Sequence, residues 1–229
     1  MFGRIYISRS TWIFLILGIL VQLVTFCFLT EDNPWSLLSG VLGICSVVLG
    51  AQGSILTFVF GFAQVGTYTY LCYLEHFYAE IAINIYYFLT MIYGVYCWRN
   101  RLSDNGLDVS TRRISYRLVP FVLISIIGLS LLVGWLLSRY TDDPQPYLDA
   151  FTTVPAIAAQ LLMVLAFREQ WYLWLVVDIL AVIMWLRAEN YCMAAQYAFW
   201  CANCIYGYTQ WTKLLVQESI QTSKNEKGI

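Results

Sequence analysis

The chain has 229 residues, of which 60% are hydrophobic and 12% charged, with a formal net charge of −1. Charged residues make up about a quarter of a typical soluble domain, and a soluble fold of this size has no core able to hide so much apolar surface. That excludes an ordinary soluble domain and points to lipid as the solvent. The sum of charges says little about partners, whereas their distribution proves informative.

Eight apolar runs follow one another, at 12–29, 35–51, 54–73, 77–98, 117–138, 147–167, 171–187 and 193–213. Each is near the length of a helix that crosses the hydrocarbon at about 1.5 Å per residue. Lipid offers no partner for open backbone groups, so helices are expected; the runs lack the alternation of a membrane barrel. Arg4 and Arg9 before the first run give it a superficial likeness to a signal peptide. The run is long enough to span, and "TEDNP" follows it rather than a small-residue cleavage pattern, so a retained helix is expected. Only "GAQGS" separates the second run from the third.

Eight crossings put both termini on one side. With the N-terminus inside, eleven of the thirteen Lys and Arg fall in inner segments; only Arg139 and Arg187 fall outside. This is the division the positive-inside rule demands. The outer connections instead carry acidic and proline-rich sequence. The longest internal connection, "RNRLSDNGLDVSTRRISYR", is basic and reads as a topology anchor, with nothing resembling a nucleotide-binding loop. The end of the chain, 214–229, is polar and is expected to be a mobile cytoplasmic tail.

The stretch "IYGVYCW" (Ile92–Trp98) ends the fourth run and "IYGYTQW" (Ile205–Trp211) ends the eighth, 113 residues later. The same offset lays runs two to four onto runs six to eight with the same orientation. The expected fold is all-α and membrane-integral, with eight transmembrane helices in two parallel three-helix repeats, a design known among transporters. The segments are an extra N-terminal helix (1–34), a first repeat (35–98), a loop and linker helix (99–146) and a second repeat (147–213). Trp98 and Trp211 end helices, where aromatic residues commonly act as interfacial anchors, and they are expected in that role. Tyr93 and Tyr206 have no assigned role.

Polar residues inside these runs are costly and face a bundle interior or a cavity. In the seventh run Trp171, Trp174, Asp178 and Trp185 share one helical stripe, and Asp178 is the one carboxylate well inside any run. A Trp stripe beside a carboxylate suits a flat cationic ring; each cation–π contact contributes about 0.5–2 kcal/mol. Gln196, Trp200 and Asn203 share a stripe in the eighth run, and Glu80, Asn84 and Tyr87 one in the fourth. Thr57, Gly61, Gln64 and Tyr68 form another in the third run, and Gln160 is the main amide of the sixth. Such amides donate and accept together, which suits hydroxyls and carboxamides; interhelical bonding is the competing reading for each. The Cys201-x-x-Cys204 spacing lies mid-run, away from any helix N-terminus or positive neighbour that would activate it, so packing is expected. No stripe holds two carboxylates or a carboxylate with His, and no Cys/His metal pattern or Walker motif appears, so neither an enzyme, a cofactor nor a metal is expected.

Trp171-x-x-Trp174 followed by Asp178, with Tyr-Gly and Trp endings on two helices, resembles the PnuC-type vitamin transporters over about 35–211. The resemblance implies a fold similar to that of the SWEET sugar transporters, with three, one and three helices, to which the first helix is an addition. It implies facilitated diffusion of nicotinamide riboside across a bacterial cytoplasmic membrane, with thiamine or riboflavin as alternatives. The implied site is Trp171, Trp174, Trp200 and Tyr87 as aromatic surface, with Gln64, Asn84, Gln160, Gln196 and Asn203 as hydrogen-bonding groups. Asp178 either compensates the ring charge or braces the helices. A membrane sensor that binds without transporting is the competing class. No nucleic-acid partner is expected, and a homo-oligomer is left open.

Overall fold

The computed structural model describes residues 8–28, 34–74, 76, 78–102, 108–187, 189 and 191–226. Among these it has eight helices: α1 (Arg9–Phe28), α2 (Pro34–Gln52), α3 (Leu56–Leu74), α4 (Tyr78–Arg99), α5 (Val119–Tyr140), α6 (Pro146–Val164), α7 (Gln170–Arg187) and α8 (Tyr191–Glu226). Six of them, α1, α2, α4, α5, α6 and α7, are long and apolar enough to cross a membrane. Proline opens α2 and α6, where a missing N–H costs nothing and the fixed φ is already helical. No extended strand occurs among the described residues, only three isolated bridges.

The helix limits follow the apolar runs within a few residues, except at the end of the chain. There α8 continues through Glu226, so residues 214–226 of the expected tail extend the helix.

The turns from α2 to α3 and from α6 to α7 carry one set of bonds. Gly53 N–H donates to Gly50 O (2.9 Å) and Ser54 N–H to Leu49 O (3.0 Å). Ala166 N–H donates to Met163 O (2.9 Å) and Phe167 N–H to Leu162 O (2.8 Å). Both are helix ends closed by a left-handed residue, Gly53 at φ 84° and Ala166 at φ 60°. His76 and Glu189, at φ 60° and 56°, end α3 and α7 alike. Every corresponding pair lies 113 residues apart.

Trp98 and Trp211 are not interfacial anchors. Both are 0% exposed, in the middle of the main core cluster. The indole of Trp98 donates to Met163 O at 3.1 Å, and that of Trp211 to Gly50 O at 2.9 Å. Those carbonyls stand in the last turns of α6 and α2, where each already accepts from a turn N–H, of Ala166 or Gly53, and the indole takes its second lone pair. Each Trp therefore reaches across the bundle to cap another helix, and the two rings meet edge-on at 5.7 Å.

The glycines of the motif follow from the same packing. A Cβ on Gly94 would lie 2.7 Å from the Phe58 ring, and one on Gly207 would lie 2.5 Å from Trp171. Phe58 packs edge-on to Trp98 at 5.0 Å, and Trp171 to Trp211 at 5.8 Å. The tyrosines differ: Tyr93 is 54% exposed and Tyr206 only 9%. The reason is α1, which packs on α8. Thr11 Oγ1 lies 2.8 Å from the Tyr206 hydroxyl, and Phe14 stacks on its ring at 4.4 Å.

The connection from α4 to α5 is more than a topology anchor. Val109 N–H donates to Gly53 O (2.9 Å) and Arg112 N–H to Ala166 O (2.7 Å), so one strap ties both turns together. Val109 is buried against the Trp pair's cluster, and Thr111 Oγ1 donates to Trp211 O at 2.9 Å.

Candidate functional site

A cavity of about 290 Å³ lies between α2, α3 and α4 on one side and α6, α7 and α8 on the other. Trp171, buried in the cluster of Trp98 and Trp211, is part of its lining. α7 contributes most of the chemistry. Residues 171, 174 and 178 fall at helical spacing on one face, which places Trp171, Trp174 and Asp178 in the lining. Gln64 from α3, Tyr87 from α4, Gln160 from α6 and Trp200 from α8 complete the set that the sequence brings together.

Three expected members stand apart. Gln196, Asn84 and Asn203 do not line the cavity. Asn203 is 0% exposed and neither of its amide atoms has a partner among the described residues, and Asn84 is buried. The side chain of Glu80 lies outside the described residues, and Trp185 lines a different pocket with Gln145 and Arg187.

The polar groups are held in specific orientations. Gln160 Nε2 donates to Thr90 Oγ1 at 3.2 Å, which itself donates to Tyr87 O at 2.9 Å. The Cys204 thiol donates to Asp178 Oδ2 at 3.3 Å, pinning one carboxylate oxygen and giving this cysteine more than a packing role. Ser46 and Thr57 exchange bonds between α2 and α3: Ser46 Oγ donates to Thr57 O, and Thr57 Oγ1 to Ser46 O, both at 2.9 Å.

Sequence reasoning passed over Gln170, Ser46, Met91 and Tyr197, all of which line the cavity. Gln170 carried a signal in its place immediately before the W-x-x-W element. Among the described residues no Lys or Arg lines the cavity; Arg168, at the turn before α7, is held over the Tyr208 ring and against Glu169 at 3.3 Å. No grouping of three or more His, Cys, Asp or Glu able to hold a metal occurs among the described residues. The arrangement can enclose a flat ring between aromatic side chains, offer it one carboxylate, and hydrogen-bond polar substituents.

Comparison with known proteins identifies the family. Residues 33–213 match the family model described as nicotinamide mononucleotide transporter. A nicotinamide riboside transporter PnuC of Neisseria mucosa is 31% identical over 96% of this chain and 87% of its own. Its counterpart from Haemophilus influenzae is 32% identical, over 81% of this chain and 82% of its own. A crystal structure of the vitamin B3 transporter PnuC superposes with a TM-score of 0.75 at 29% identity, covering 93% of this chain and 94% of the other. The chain belongs to the nicotinamide mononucleotide transporter family of membrane proteins.

Proposed function

We propose that the protein transports nicotinamide riboside, binding it in the cavity between α2–α4 and α6–α8. The observation that carries this reading is the cavity's chemistry: Trp171, Trp174 and Trp200 share its lining with one carboxylate, Asp178, and with amides, and no described residue brings a cationic side chain to it. A pyridinium ring is attracted to aromatic faces and to the carboxylate. A phosphate dianion would be desolvated there without a positive partner, which is strongly unfavourable. The riboside is therefore favoured over its phosphorylated form, despite the family's name. The volume sits near the lower end of the roughly 300–1,000 Å³ usual for small-molecule sites. That suits a one-ring nucleoside better than the three-ring system of riboflavin. Trp171, Trp174, Asp178, Tyr87, Gln64, Gln160 and Trp200 are assigned to the ligand. Gln196, Asn84 and Asn203 are assigned to supporting positions around it.

The architecture we infer is two parallel three-helix repeats, 35–98 and 147–213, joined by a loop and linker helix at 99–146 and preceded by an added helix at 1–34. The offset of 113 supports it, because it carries Trp98 and its acceptor Met163 onto Trp211 and its acceptor Gly50, in reciprocal order. It also relates the left-handed residues Gly53 and Ala166, and His76 and Glu189. Eight crossings with both termini in the cytoplasm of a bacterial cell are supported by the Lys and Arg distribution. The Trp98–Trp211 pair and the strap then close the cytoplasmic end. Facilitated diffusion proceeds by rocking one repeat against the other, which breaks the two indole bonds as that end opens.

Calorimetric titration of the detergent-solubilised protein with nicotinamide riboside, nicotinamide mononucleotide, thiamine and riboflavin tests the assignment. Heat with the riboside and none with the mononucleotide is expected. Binding of thiamine or riboflavin without the riboside would refute it.

A further inference from the structure

The two three-helix groups meet along two seams, α2 against α8 and α4 against α6. The offset of 113 exchanges one seam for the other, yet they are built differently. In the α4·α6 seam the Tyr86 hydroxyl donates to Ile157 O at 3.0 Å, and Gln160 Nε2 donates to Thr90 Oγ1 at 3.2 Å. The counterparts in the α2·α8 seam are Phe199 with Ile44 and Asn203 with Val47, so no hydroxyl stands in the place of Tyr86 and no amide in that of Gln160. Burial differs as well: Ile44 is 1% exposed and Ile157 37%, Tyr206 9% and Tyr93 54%. The cause is α1, which among the described residues packs on α2 and α8 and on no other helix. A Cβ on Gly18 would lie 2.7 Å from the Phe199 ring and 2.8 Å from Ile44, so the α1 backbone runs in the groove between those two helices. Leu15 joins Ile44 and Val48 in a second core cluster, with Phe14, Ile19 and Phe199 packed against it. Thr11 is hydrogen-bonded to Tyr206 of α8, and Gln22 lies against Gly40 of α2. Among the described residues no helix covers the α4·α6 seam in this way, because α5 packs on α6 alone.

We propose that α1 is a clamp that makes the α2·α8 seam the hinge of the transport cycle and leaves the α4·α6 seam as the one that parts. Separating α2 from α8 would strip α1 from one of them and open the cluster around Gly18, whose dispersion contacts have no replacement across a gap. At the α4·α6 seam the two side-chain bonds break and re-form without disturbing a covering helix. Packed clusters do not deform gradually, so motion collects where the packing is not closed over. The rocking is then unequal. A small rotation at the hinge suffices to break the indole bond of Trp211 to Gly50, whereas that of Trp98, which crosses from α4 to Met163 of α6, breaks as its seam parts. The inference rests on the transport reading and adds which side of the bundle moves.

The test is cross-linking across each seam at corresponding positions, in a background whose cysteines other than the buried Cys72 and Cys204 are replaced by alanine. One protein carries Tyr86→Cys with Ile157→Cys, the other Ile44→Cys with Phe199→Cys, and each pair is bridged by a short bis-methanethiosulfonate reagent. None of these four side chains lines the cavity. Uptake of radiolabelled nicotinamide riboside into proteoliposomes is expected to be lost on bridging α4 to α6 and to return on reduction. Bridging α2 to α8 is expected to leave uptake at the unbridged rate. Uptake that survives the α4·α6 bridge, or is lost with the α2·α8 bridge, overturns the proposal. Should Ile44→Cys fail to fold, distances between spin labels on exposed positions serve instead: Leu89 with Leu161 across α4 and α6, and Leu38 with Ile205 across α2 and α8. The riboside is expected to shift the first distance more than the second. No shift in the first, or an equal or larger shift in the second, counts against the hinge. Absence of uptake by wild type would instead refute the transport reading.

Discussion

Replacing Trp211 with Phe removes an indole N–H that donates to Gly50 O at 2.9 Å from a position with 0% exposure. The carbonyl keeps its bond from Gly53 N–H, so the hydrogen-bond loss is near the ordinary net value of about 1 kcal/mol. The smaller ring also leaves a void beside Trp98 and Trp171, whose rings lie 5.7 and 5.8 Å away. A partial truncation in a packed core adds about 1–2 kcal/mol. The sum is about 2–3 kcal/mol. At about 2–4 °C per kcal/mol for a chain of this size, the melting temperature in detergent falls by about 5–10 °C. The assay is thermal unfolding followed by tryptophan fluorescence or by size-exclusion recovery after heating. Trp12→Phe is the control, because Trp12 is 53% exposed on the outer face of α1. Trp98→Phe should cost a similar amount, and the double variant should depart from additivity because the rings touch. A Trp211→Phe protein melting within about 1 °C of wild type, or a Trp12→Phe protein losing as much, would refute the capping argument.

Other outcomes follow from the same contacts. Gly207→Ala puts a methyl 2.5 Å from the Trp171 ring and should lower both melting temperature and riboside affinity, whereas Gly66→Ala meets nothing within 4 Å and should be neutral. Asp178→Asn keeps the shape of the side chain but removes its charge; riboside affinity should fall tenfold or more, while an uncharged nucleoside analogue is unaffected, as competition binding would show. Thr11→Val removes the hydroxyl 2.8 Å from Tyr206 and should cost about 1 kcal/mol of stability by loosening α1 from α8, visible as a lower melting point.

The helices were legible because lipid exposure leaves the runs apolar on nearly every side, so their limits coincide with α1 to α7 within a few residues. The extension of α8 was not, since polar residues past Lys213 carry no apolar signal. Trp98 and Trp211 were misread because position along a run tells height in the membrane and not which neighbour stands alongside. Here the neighbours are the last-turn carbonyls of α6 and α2, brought close only by packing. At the site, helical spacing named the correct face of α7, yet it fixed direction less well on α8. Three residues turn a helix by about 300°, which leaves Asn203 about 60° to the side of Trp200, within the protein interior. Gln196 shares the direction of Trp200 but lies a turn further along the axis. Gln170 escaped notice because an amide at a helix start reads as ordinary capping sequence, although it stands immediately before the W-x-x-W element.

Uptake of radiolabelled nicotinamide riboside into proteoliposomes tests the central claim most directly, with wild type and Trp174→Ala compared in the same membranes. The account predicts saturable uptake down the gradient by wild type, competed by unlabelled riboside but not by the mononucleotide, and its loss in Trp174→Ala. Binding without uptake by wild type, or uptake undiminished in Trp174→Ala, would contradict it.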